Sequence, residues 1–134
     1  MYSLELTGGA ELSVSHRSHV SSFAMDDSAP NPLEAFYAAV TACAGVYAHK
    51  ACVALALDSA GIAISCKPFA QPGNPLVPKK IRTMVRFPAR FTLPQRAAIL
   101  ENIASCAVKE IVSAGSSIAF EVGDDQPAPA AAVA

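Results

Sequence analysis

Charge is sparse in this chain, and its scarcity excludes several functions. Only 16% of the 134 residues are Asp, Glu, Lys or Arg, the net charge is -1, and there is no basic block. Nucleic acid is therefore not expected as a partner, and no charged field for an acidic substrate is visible. Long apolar runs are missing too. The most apolar stretch, residues 35–57, is broken by His49 and Lys50, and its longest unbroken part falls short of the ~20 residues that span a bilayer. No membrane partner is expected. The start, MYSLELTGGAEL, has neither the basic leader nor the apolar segment of a secretory signal, so a cytoplasmic location is expected. Internal repeats, a CxxC pair and zinc-finger cysteine spacings are absent as well.

What remains is 52% hydrophobic, much of it alanine, in a chain long enough for one domain with its own core. Residues 1–24 read as short strands: Ser3 to Thr7 and Glu11 to Ser15 alternate in period two around Gly8-Gly9, and His19 to Phe23 adds a third. A helix then starts with Asn31 as N-cap, Pro32 at the first helical position and Glu34 closing a capping box. Its pattern continues to about Ser59, with Gly61 as the stop, for a length of roughly 40 Å. This helix is apolar almost all round, apart from Thr41, His49 and Lys50. Such a surface must be enclosed by protein, and a second subunit is the expected enclosure. Strands follow at Gly61 to Phe69 and Lys79 to Phe87, the latter with a basic outer face, joined by a Pro/Gly loop over 71–78. A second helix runs from its Thr92 cap to about Val112, and Ser117 to Val122 reads as a closing strand. The order βββ-α-ββ-α-β describes one α+β domain over residues 1–122, with a disordered tail over 123–134.

Four cysteines punctuate this pattern: Cys43, Cys52, Cys66 and Cys106. In a reducing compartment such thiols serve catalysis or metals more often than structural disulfides. Cys43 and Cys52 are nine positions apart and so lie on opposite sides of the long helix. Cys43 and Cys106 sit on predicted helices that can pack together, which makes them a candidate dithiol pair. From the residues alone both readings stay open, and packing is favoured, because free cysteine is among the most buried residue types. Cys52 and Cys66 are assigned to packing. His16 and His19 form HxxH without a carboxylate pattern and read as exposed polar residues. His49 reads as a partnered interior or interface histidine. No metal or cofactor is expected.

Asn31-Pro32, Glu34, Ala38-Ala39, Ala42-Cys43 and, later, Cys106-Ala107-Val108 resemble the OsmC/Ohr family, the osmotically inducible protein C and organic hydroperoxide resistance proteins. That family carries an N-P-x-E-L-x-x-A-A-x-x-x-C helix with the cysteine twelve residues after the asparagine, as here, and a second cysteine in a later helix. The resemblance spans roughly Ser3 to Val122. It implies an intertwined α+β homodimer with two long helices buried at its centre. It also implies a thiol peroxidase that reduces organic hydroperoxides with the help of an external thiol or dithiol reductant. In that role Cys43 is the peroxidatic thiolate and Cys106 the resolving thiol. The family's activating arginine, held by a glutamate ten residues before the cysteine, finds Leu33 at that position, with Glu34 one residue late. Arg17, alone among arginines in the first 80 residues, is by elimination the candidate partner of Cys43. Glu34 is then either its holder or simply the capping-box residue. Ala107 replaces the family's usual proline. The single-glutamate form resembles a less characterised branch, which keeps a second expectation open: a dimer without peroxidase activity that binds a small apolar molecule or senses redox state. Phe36, Tyr37 and Tyr47 would line an apolar pocket at Cys43 or form dimer core.

Overall fold

The computed structural model describes residues 1–123; of the tail read as disordered, all but Gly123 lies outside the described residues. Two antiparallel hairpins and three helices follow one another as β1 (Glu11–His16), β2 (His19–Ala24), α1 (Pro32–Ala54), β3 (Ala63–Gln71), β4 (Asn74–Arg86), α2 (Leu93–Ala104) and α3 (Ala107–Ala114). Each hairpin is its own two-stranded sheet, β1 with β2 and β3 with β4. The α+β class expected from sequence is present. The order differs at both ends and within the second helix.

Helix α1 begins as its sequence dictates. The Asn31 side chain accepts from the Glu34 N–H at 2.9 Å, and Glu34 reaches back to the Asn31 N–H at 3.3 Å, so two orphan donors are satisfied reciprocally. The helix ends at Ala54 rather than near Ser59 because Ala56 takes a left-handed φ of 55°, which an α-helix cannot continue. Gly61, the expected stop, instead holds φ 87° in the following loop, where a Cβ would lie 3.0 Å from the Pro88 ring. Arg90 ties this loop down by donating to the carbonyls of Asp58 and Ala60.

Only one stripe of α1 is buried within the chain: Ala44, Ala48, Ala51 and Cys52. These small residues let Ile99 of α2 approach closely. Cys52 and Ile99 are fully enclosed, and with Phe91 they form the core, flanked by Ile62, Ile64, Phe87 and Ile103. Other apolar side chains of α1 face outward, Val46 and Val53 among them at 51% and 65% exposure. Within one chain, then, the expected burial of the long helix is realised on one side.

Three sequence expectations need correction. Ser3 to Thr7 forms no strand; it makes a single bridge, Ser3 with Ser15. Ser117 to Val122 forms no strand and pairs with none among the described residues, and Ile118, Phe120 and Val122 are exposed. Both segments have strand-like alternation, but a strand needs a neighbour to take its backbone hydrogen bonds, and neither sheet of this chain provides one. Third, the helix expected over residues 92–112 is two helices. Its first part starts with the expected Thr92–Gln95 capping box. It stops at Ser105, and Cys106 leaves helical geometry with ψ 143° to become the N-cap of α3.

Candidate functional site

Cys106 owes its position to that break. Its Sγ accepts a hydrogen bond from the Lys109 N–H at 3.3 Å, filling the place a serine or aspartate oxygen takes at most helix starts. The residue is buried, and α3 packs on α1, which brings Cys106 to Cys43. Burial pushes the Cys106 thiol up. The Lys109 N–H pulls the other way, and the neighbouring Cys43 thiol pushes it up again. All four cysteines are free, with Cys43 half-buried. The two thiols that the sequence paired as candidates are thus neighbours in space, though one comes from a cap rather than from a helix face.

Cys106 also lines a cavity of about 530 Å³ between α1, β4, α2 and α3. Phe36, Val40 and Ala44 form its α1 wall, Ile103 closes it from α2, and three lysines, Lys79, Lys80 and Lys109, bring charge to it. Cys43 is not among the lining residues. Of the three aromatics expected around Cys43, Phe36 lines the cavity. Tyr37 stands edge-on to Phe36 with ring centroids 5.6 Å apart, and Tyr47 carries the Lys50 ammonium 5.1 Å from its ring centre. The lysines were not singled out from sequence as pocket residues. For Lys79 and Lys80 the signal was the basic face of the Lys79–Phe87 segment, which shows no direction until β4 is placed; for Lys109 there was none.

The remaining expected site residues lie apart from the thiols. Arg17 occupies the β1–β2 turn with φ 55° and is exposed; among the described residues it makes no side-chain hydrogen bond and no ion pair. The hairpin that carries it packs on no other element beyond marginal contact. Glu34 is engaged in the capping box of α1, which is its structural role. His19 is exposed, while His16, read from sequence as exposed, is half-buried; the two pair across the turn, with the Tyr2 ring stacked on His16 at 4.0 Å. His49 is exposed and its Nδ1 lies 2.8 Å from the Ser59 hydroxyl. Cys52 belongs to the core, where burial pushes its thiol up, and Cys66 is half-buried on β3 opposite Thr83. Among the described residues no three His, Cys, Asp or Glu side chains come together as a metal site, and no helix is long and apolar enough to cross a membrane.

No family model matches the sequence, and no curated protein matches it. The structure does have a counterpart. A crystal structure from Psychrobacter arcticus 273-4, named for an osmotic stress induced and detoxification response, superposes with a TM-score of 0.68 over 81% of this chain and 85% of that one. The fold is OsmC-like. Sequence identity over this match is 11%, so the likeness concerns the path of the backbone, and residue roles rest on this chain's own geometry. In the OsmC-like frame the break before α3 and the length of α1 stand out as the features that bring two cysteines together at the edge of a cavity.

Proposed function

We propose that the chain is a thiol-dependent peroxidase that reduces organic hydroperoxides through Cys43 and Cys106. The observation that carries this reading is the proximity of the two thiols beside a largely apolar cavity, with the proton held on Cys106 by burial and by its neighbour. The nucleophile of the pair is then Cys43. Its thiolate attacks the O–O bond of the peroxide ROOH. The sulfur gains an OH, and ROH leaves with a proton. The Cys106 thiol next displaces hydroxide from the sulfenic acid, which forms the disulfide and releases water. An external thiol or dithiol returns both sulfurs to the reduced state. The apolar walls at Phe36, Val40 and Ile103 suit an organic hydroperoxide better than hydrogen peroxide.

The working unit in this reading is a homodimer. Apolar side chains of α1 exposed in the single chain, the unpartnered strand-like segment 117–122 and the loosely attached β1–β2 hairpin all support a second copy as their cover. A hairpin that packs on the other copy is also the means by which Arg17 would reach a Cys43.

One observation favours a second reading. Arg17 lies in an exposed turn and makes no side-chain hydrogen bond or ion pair among the described residues, and Glu34 is consumed by the helix cap. A dimer that binds a small apolar molecule, or that only senses oxidants, fits those facts. A free-thiol count before and after a stoichiometric pulse of cumene hydroperoxide separates the two, with peptide mapping of the product. Rapid loss of two thiols, mapped to Cys43 and Cys106 and abolished in Cys43→Ser, is the expected result. Survival of all four at the rate of an unactivated thiol would refute the peroxidase reading.

A further inference from the structure

The net charge of -1 hides how the charges are distributed. No Asp or Glu occurs between Asp58 and Glu101, while seven of the ten Lys and Arg residues fall in that interval: Lys67, Lys79, Lys80, Arg82, Arg86, Arg90 and Arg96. The β3–β4 hairpin concentrates them. Its register pairs Lys67 with Arg82, Phe69 with Lys80 and Ala63 with Arg86, so by strand alternation Lys67, Lys80, Arg82 and Arg86 share one face. All four are exposed. Phe69 lies in the same face, with the Lys67 ammonium 5.5 Å and the Arg82 guanidinium 5.1 Å from its ring centre. None of these cations forms an ion pair with another described residue.

The hairpin end has a second feature. The ladder shifts register between Phe69 and Ala70 and again between Ala70 and Gln71, leaving Pro75, Leu76 and Val77 as a bulge with no residues opposite. Leu76 is 71% exposed and Val77 49%. Bulges next to a sheet end commonly re-aim side chains for a purpose, and here they push aliphatic groups into solvent beside a row of cations.

We infer that the β3–β4 hairpin docks on an anionic lipid surface, with Leu76 and Val77 entering the acyl boundary and Lys67, Lys80, Arg82 and Arg86 lying among the headgroup phosphates. Apolar side chains and cations on one exposed element are the combination that interfacial binding requires. A nucleic acid fits less well. It would leave Leu76 and Val77 without a role, and the one aromatic ring of the face is already covered by two cations rather than free to stack on a base. Strand addition by a second copy is opposed at the bulge by Pro75 and Pro78, which have no N–H to donate. The expectation that the chain meets no membrane came from the lack of a spanning stretch, which does not register a local cluster. Lys79 and Lys80 also line the cavity, so the lipid-facing hairpin and the thiols adjoin.

The full-length protein is tested by co-sedimentation with vesicles of phosphatidylglycerol and phosphatidylcholine in equal parts, beside vesicles of phosphatidylcholine alone. Binding to the mixed vesicles only is expected, with loss near 1 M salt, where the screening length falls to about 3 Å. Lys80→Glu with Arg82→Glu should weaken binding at least tenfold, since each basic residue near such a surface is worth about fivefold in affinity. Leu76→Ser with Val77→Ser should weaken it several-fold. Both variants change exposed residues, and unchanged far-UV circular dichroism and melting confirm that they are folded. The proposal is overturned if the mixed vesicles leave the protein in solution, if both vesicle types bind equally, or if the Leu76/Val77 variant binds as the parent does. It is also overturned if duplex DNA displaces the protein from the vesicles at equal phosphate concentration, because the face is then a nucleic-acid surface.

Discussion

Oxidation of the Cys43–Cys106 pair should raise the thermal stability of the protein, and the size of the effect follows from where the two cysteines lie. They are separated by 63 positions in sequence (106 minus 43) and are neighbours in the reduced chain, so the bond joins helices that already pack together. Closing a loop of that length removes conformational entropy from the unfolded chain worth about 4 kcal/mol. Against this stands the N-cap of α3: once its sulfur is bonded to Cys43, Cys106 accepts less well from the Lys109 N–H, and losing a cap costs about 1 kcal/mol. The remainder is about 3 kcal/mol, or roughly 10 °C in the melting temperature of a domain this size. The assay is scanning calorimetry of protein reduced with a dithiol and of protein treated with one equivalent of cumene hydroperoxide. Peptide mapping confirms the bond, and Cys106→Ser serves as the control that should not shift. An oxidised, correctly linked protein that melts at or below the reduced form would refute the reasoning, because it would mean that the two helices must be pulled out of place to join their sulfurs.

Three further outcomes test the packing and electrostatics. Ile99→Ala should cost about 3 kcal/mol, as expected for a fully enclosed aliphatic side chain, read as a drop in the urea midpoint without change in slope. Asn31→Ala removes one half of the capping box of α1 and should cost about 1 kcal/mol, with Asn31→Asp restoring most of it in the same titration. Stability should also fall in alkali. The Cys52 and Cys106 thiols are pushed up by burial, so the folded state holds these protons more tightly than the unfolded chain. The resulting stabilisation is complete below the ordinary thiol range, ~8.5, and is lost as pH rises through the folded values. Urea midpoints measured on either side of that range should decline for the parent and decline less for Cys52→Ala combined with Cys106→Ser.

The helix starts were legible because a cap is a local device: Asn31-Pro32 with Glu34, and Thr92 with Gln95, each specify their own turn. The hairpins were legible where alternation and turn residues agreed, as in residues 11–24. The ends of elements were not, since they depend on partners. Ala56 turns left-handed where the local pattern still reads helical, and Ser117 to Val122 has strand chemistry but no strand beside it in the chain. Cys106 shows the same limit at the site. The sequence offered it as a candidate partner for Cys43 from a predicted helix face, but its place as an N-cap was not readable, because Ala107 there gives no sign of a helix start. Arg17 and Glu34 were drawn from a resemblance. The structure puts the first in an exposed turn and the second in a cap, since the hairpin and the helix start each satisfy their own local geometry first.

Both sheets join strands that are neighbours in sequence, β1 to β2 across Arg17-Ser18 and β3 to β4 across Pro72-Gly73. The chain therefore closes only short loops to make them, and hairpins of this kind form in about 1–10 μs. The long-range step is the seating of α2 and α3 on α1, where Ile99 meets Cys52. Early in folding the chain is then a set of finished local pieces with a bare helix stripe between them, and its refolding rate should track substitutions at Ile99 more closely than any change in the hairpins.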